Sequence, residues 1–247
     1  MEKSSALRTP HMKTLLVALL IGGCGWMIFN RTELPASYAQ SSDQFDKQFD
    51  TLVRDDFFAG MTGGAEKLNR AMKNAEEVLA RNPKHVQALV WHGGGMIARA
   101  SMAYRKGDYK LGDELWKKGL NEMNQAVALA PDRIDVIIGR SATIIGLAQA
   151  GWDATDKEAR ELLESALLGY EKVYQAQRSY FSKISEHSRG ELLFGLASGW
   201  SILGEQNKAQ FYLGRVIKET KGSSYEEEAQ KWIGKRQVIE HDCRGCH

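Results

Sequence analysis

Blocks of one hydrophobic period, about 13 to 25 residues long, run through most of this 247-residue chain. Over residues 41–58, Phe45, Phe49, Leu52, Val53 and Phe57 recur at helical spacing on one face, with Asp46, Lys47, Asp50 and Arg54 opposite. Similar blocks occupy 65–81, 84–106, 108–130, 132–149, a stretch from 155 to about 179, 188–203, 207–220 and 225–237. Gly60, Gly63 and Gly64 break the first pattern. Asn82-Pro83 and Pro131 end later ones, because a residue before proline avoids the helical region. Alternating β-branched runs are scarce and there are only four prolines. Ala, Leu, Glu, Lys, Gln and Met dominate, and all favour helix. The expected fold is all-α, with about eight or nine helices.

Local signals refine this expectation. Ser41 or Ser42 fits the N-cap of the first helix. Thr155-Asp156-Lys157-Glu158 and Ser224-Tyr225-Glu226-Glu227 read as capping boxes. The 132–149 block holds Ile134, Val136, Ile137, Ile138, Ile144, Ile145 and Leu147, a breadth that predicts burial on more than one side. Gly93, Gly94 and Gly95 sit inside the third block. Each costs a helix about 1 kcal/mol relative to alanine. They mark either a close approach of another backbone or a kink.

Helices joined by short turns invite a search for repeats. Leu196-Ala197, Trp200, Gly204, Ala209, Leu213 and Val216 stand at offsets that resemble the tetratricopeptide (TPR) repeat family. Tyr104-Arg105-Lys106-Gly107-Asp108-Tyr109 is similar to its inter-helix turn, and Gln125 to Pro131 to the end of its second helix, as are the residues closing on Pro83. The stretch from Tyr109 to Pro131 is about two helical turns longer than a 34-residue repeat allows. The resemblance implies a TPR-like α-solenoid of degenerate repeats over 65–236, after an N-terminal helix and linker at 40–64. In such a stack each helix pair buries its face against its neighbours, and a concave face commonly holds a peptide or partner. Ala88, Ala126, Ala197 and Ala209 are then close-approach positions. Trp91, Trp116, Trp200 and Tyr212, with Met96, Met102 and Met123, are expected in the core.

The last five residues, Cys243-Arg244-Gly245-Cys246-His247, form a C-x-x-C-H motif, the attachment signature of c-type haem. Two thiols add across the vinyl groups of one porphyrin edge, and the adjacent histidine ligates the iron. Cys243 and Cys246 would hold one covalent haem c, with His247 as proximal ligand. Three other readings exist: a redox dithiol, a zinc site of His241, Cys243, Cys246 and His247, and a chance match. Redox dithiols sit near a βαβ pattern, and zinc sites use two separated ligand pairs; this motif does neither. The motif resembles the binding segment of c-type cytochromes, which implies a second axial ligand. Candidates are His92 and His187, then His85 and, less well placed, His241. A partner chain or a five-coordinate iron are alternatives. No residue of the sequence follows His247, so cover for the haem is expected from the preceding helices, another chain, or little protein at all.

The N-terminus agrees with this chemistry. Lys3, Arg8 and Lys13 precede an apolar run at 15–29, the pattern of an export signal. The run is short against the roughly 20 apolar residues of a comfortable span. Three outcomes fit residues 1–39: cleavage after Ser37-Tyr38-Ala39, an uncleaved membrane anchor, or lipidation of Cys24 in Ile21-Gly22-Gly23-Cys24. Each places the body outside the cytoplasm, in a bacterial periplasm or on the outer surface, where haem attachment occurs. Without residues 1–39, basic and acidic residues balance, and Cys243 and Cys246 are the only cysteines. A neutral body argues against nucleic acid as partner, and two cysteines make no disulfide framework. No nucleophile–base pair or other metal-ligand set stands out, so no enzyme activity is expected. The sequence therefore predicts an exported monohaem cytochrome with a tail at 237–247, docking to a redox protein or cytochrome partner chain that supplies part of the distal haem environment. The rival is a periplasmic scaffold or assembly protein with a structural terminal motif.

Overall fold

A computed structural model describes residues 44–61, 64–151 and 156–239. Every regular element among these residues is helical. Nine α-helices run in order: α1 Gln44–Met61, α2 Ala65–Arg81, α3 Val86–Arg105, α4 Tyr109–Leu129, α5 Ile134–Gln149, α6 Lys157–Gln177, α7 Glu186–Ile202, α8 Gln206–Glu219 and α9 Ser224–Trp232. A 3-10 turn, Phe181–Lys183, precedes α7.

The helices pack as successive hairpins: α1 with α2, α3 with α4, α5 with α6, and α7 with α8. The first helix of each hairpin also packs on the first helix of the next, so α1, α3, α5 and α7 form a continuous row. Sequence explains the division. α3, α5 and α7 carry apolar and small residues around much of their circumference and are buried on most sides. α2 buries one stripe, Leu68, Ala71, Met72, Ala75 and Val78, and leaves its charges in water. The breadth of the 132–149 block thus has its cause: α5 lies between neighbours in the row.

The turns repeat with the hairpins. At Gly107 and Gly204 the chain enters the left-handed region, with φ of +79° and +83°. In each case the next N–H reaches back to the third-last helical carbonyl, Ala103 at 3.0 Å and Trp200 at 2.9 Å. This is a Schellman ending, which satisfies carbonyls the helix leaves orphaned and needs glycine. Between hairpins the chain instead makes a three-residue step. His85 N–H donates to the Asn82 carbonyl at 3.0 Å, Arg133 to Ala130 at 3.1 Å, and Ser223 to Thr220 at 3.1 Å. Pro83 and Pro131 sit inside two of these steps, where no N–H is needed.

The glycine triplet is not a kink. α3 runs unbroken from Val86 to Arg105. A Cβ at Gly93 would lie 2.6 Å from the Gly119 carbonyl oxygen, and one at Gly119 would lie 2.5 Å from that of Gly93. The backbones of α3 and α4 touch here.

Most core expectations hold. Ala88, Ala126, Ala197 and Ala209 are fully buried, and Trp91, Trp200, Tyr212, Met96 and Met123 are buried; Trp116 and Met102 are half-buried. α1 joins the core through Phe57, stacked on Trp91 at 5.0 Å. Some helix ends differ from the periodicity. α1 runs through Gly60 to Met61. α6 is capped by Asp156, which accepts from Ala159 N–H at 3.0 Å. α7 begins two residues earlier, with Ser185 as its cap. The last helix is capped by Ser223 rather than Ser224, with Glu226 Oε2 accepting from Gly222 N–H at 2.6 Å. It stops at Trp232, because Gly234 turns the chain with φ of +81°.

Candidate functional site

The motif residues Cys243, Cys246 and His247, and His241, lie outside the described residues, as does the 15–29 run. What the structure shows is the seat of the segment leading to the motif. Along α7, His187, Glu191, Ser198 and Ser201 form a polar stripe, spaced so that they share one face. Tyr225 of α9 lies over the start of this stripe. Its hydroxyl donates to Glu191 Oε1 at 2.7 Å and is 2.6 Å from His187 Nδ1. The ring fits because position 190 is glycine: a Cβ there would lie 2.5 Å from it. Burial, and after it the Glu191 carboxylate, push the Tyr170 phenol well above its ordinary value, so that hydroxyl stays neutral.

The other end of the stripe holds the tail. Ile239 is buried, and its N–H donates to Ser201 Oγ at 2.8 Å. Between the two ends, Gln210 of α8 clamps the turn after α9. Its amide donates to the Lys235 carbonyl at 2.7 Å and accepts from Gly234 N–H at 2.7 Å. Residues 225–239 therefore run along α7 in its own direction, from His187 towards Ser201. These partners carry no sequence motif. The signal that could have found them is the run of polar residues on one face of a largely apolar helix.

Tyr225→Phe tests the seat. Removing the phenolic donor from a buried carboxylate costs about 1–3 kcal/mol. Amide hydrogen exchange should accelerate across 224–239 while α3 and α5 keep their protection. Unchanged exchange in 224–239 would show that Tyr225 does not hold the segment.

The structure separates the candidate distal histidines. His85 caps α3, its Nδ1 accepting from Ala88 N–H at 3.1 Å, and its ring packs edge-on against Phe49 at 5.3 Å. His92 is buried in α3 and faces α2 and α4. Its Nδ1 is 2.6 Å from Glu122 Oε2, and its Nε2 is 3.5 Å from Glu76 Oε1. His187 is half-buried and engaged with Tyr225. It lies fourteen residues before Ser201, about 21 Å along the helix. The four residues from Ile239 to Cys243 span at most about 14 Å. The His187 backbone therefore lies farther along α7 than four extended residues span.

Among the described residues, no group of three or more His, Cys, Asp or Glu is arranged to hold a metal ion. No described helix is long and apolar enough to cross a membrane. Comparison of the chain with protein-family models, curated proteins and solved structures found no match.

Proposed function

We propose that this chain is an exported monohaem c-type cytochrome whose haem is carried at the end of a TPR-like α-solenoid. The observation that carries the reading is the Cys243-x-x-Cys246-His247 motif, which needs three residue types in five positions, combined with an export-type N-terminus. Cys243 and Cys246 hold the haem and His247 ligates the iron. The iron cycles between ferric and ferrous, exchanging electrons with a docked redox partner and not performing catalysis. The site is periplasmic or on the outer surface, with the N-terminal segment removed or serving as a membrane tether. The hydrogen-bonded seat of residues 233–239 supports this reading, because it anchors the chain four residues before the first attachment cysteine. The row of helix hairpins, with glycine turns at Gly107 and Gly204, supports the solenoid.

The same row favours a second reading, a periplasmic scaffold that binds a peptide or cytochrome and whose terminal motif is structural. Expression in a host with c-type maturation machinery separates the two. The cytochrome reading expects haem that stays with the polypeptide through denaturing electrophoresis, a ferrous α-band and reversible reduction. Absence of covalent haem would sink it. Covalent haem that cannot be reversibly reduced would support the scaffold.

A further inference from the structure

The solvent face of α8 is poor in carboxylates. Its sequence, QNKAQFYLGRVIKE, holds a single carboxylate, Glu219, and that is paired with Arg215. Phe211 stands on this face with 58% of its surface exposed. One turn on is Gly214, where a Cβ would meet nothing within 4 Å, so no side chain is added beside Phe211 there; its ring meets the Tyr212 ring edge-to-face at 5.1 Å.

Three cations are held on α8 or on the segment packed beside it. Lys208, three residues before Phe211, holds its ammonium 3.5 Å above the buried Trp200 ring. Arg236 donates to Asn207 Oδ1 at 3.1 Å, four residues before Phe211. Lys235, beside Gln210, places its ammonium 5.5 Å from the Trp232 ring centre. Among the described residues none of the three has a carboxylate partner. Two further exposed apolar side chains, Ile233 at 41% and Val238 at 51%, lie on the same docked segment. Acids near in sequence include exposed Glu205 at the α8 cap, Glu228, which is held by Lys231 and Trp232 Nε1, and Glu240 and Asp242, which lie outside the described residues.

We propose that the outward face of α8, extended by residues 233–238, is a docking surface for a protein whose own contact patch is apolar and rimmed by Asp and Glu. Exposed aromatic anchors with a charged rim are the usual anatomy of a protein interface. Complementary charge sets orientation and encounter rate. The chain body is electrically balanced, so this cationic face is local, not a general affinity for polyanions. The cations are held in fixed positions by indole rings and an amide, as suits a rigid partner better than a fluid lipid surface. The surface does not depend on haem attachment. The same segment leads into the terminal motif, so a partner seated here lies beside it.

The test uses the full chain in the cells that produce it, with Phe211→p-benzoylphenylalanine as photo-crosslinker. The expected result is an adduct with one protein, mapped by mass spectrometry to an apolar patch bordered by Asp and Glu. Adding Lys208→Glu and Arg236→Glu should lower its yield about tenfold while circular dichroism stays helical. Four results would overturn the proposal: no protein adduct, an adduct only with a second copy of this chain, an adduct at a basic or uncharged patch, or a yield indifferent to charge reversal. Pelleting of the unsubstituted protein, but not the charge-reversed one, with phosphatidylglycerol vesicles would reassign the face to a membrane.

Discussion

Gly119→Val is expected to lower stability by about 3 kcal/mol or more, at the upper end of what overpacking does. The first added carbon alone would sit 2.5 Å from the Gly93 carbonyl oxygen, 3.0 Å from Met96 Cβ and 3.2 Å from Ile97 Cγ1. A carbonyl oxygen inside a helix cannot swing away like the end of a side chain, so α3 and α4 must separate. Separation reaches beyond the pair, because α3 also packs on α1, α2 and α5. Gly119→Ala should lose about 2 kcal/mol net, since alanine recovers roughly 1 kcal/mol of helix propensity against the clash. Gly146→Ala in α5 is the control. A Cβ there meets nothing within 4 Å, so stability should rise by up to about 1 kcal/mol. Urea midpoints measured with unchanged m-values read all three. If Gly119→Ala matches the unsubstituted protein, the backbones do not touch.

The double substitution Cys243→Ala, Cys246→Ala is expected to abolish covalent haem and leave the helices folded. On the proposed reading both thioether bonds would come from these two thiols, so no attachment would remain without them. The described helices bury their apolar faces against one another, from Phe49 in α1 to Ile239 after α9, upstream of the motif. Haem staining after denaturing electrophoresis should fall to background, while far-ultraviolet circular dichroism and the urea midpoint stay within error. Global unfolding of the variant would show that the haem belongs to the core. Retained covalent haem would show attachment elsewhere.

These two predictions draw on different kinds of information. The motif is local chemistry, read from five adjacent residues. Helix existence was equally legible, because 3.6-residue periodicity is printed in the order of apolar residues. Asn82-Pro83 and Pro131 marked helix ends correctly because proline acts through local sterics. Helix caps were less legible. Ser223 and Ser224 both offer a hydroxyl, and the choice follows from the path the chain takes out of α8. The stop at Trp232 was hidden because residues 233–237 are held by Gln210, on another helix.

The sequence by itself determined the helical class, the placement of most helices, the apolar stripe of each and the terminal pentapeptide, all set by neighbours within a few residues. Only the tertiary structure decided that Gly93 faces Gly119, that His92 lies between Glu76 and Glu122, and that the tail follows α7 to Ser201. Each of these is a meeting of residues 16 to 38 apart. A sequence pattern records that a position is small, polar or apolar, but not which distant surface it touches. That is settled by the one packing in which every helix buries its stripe at once.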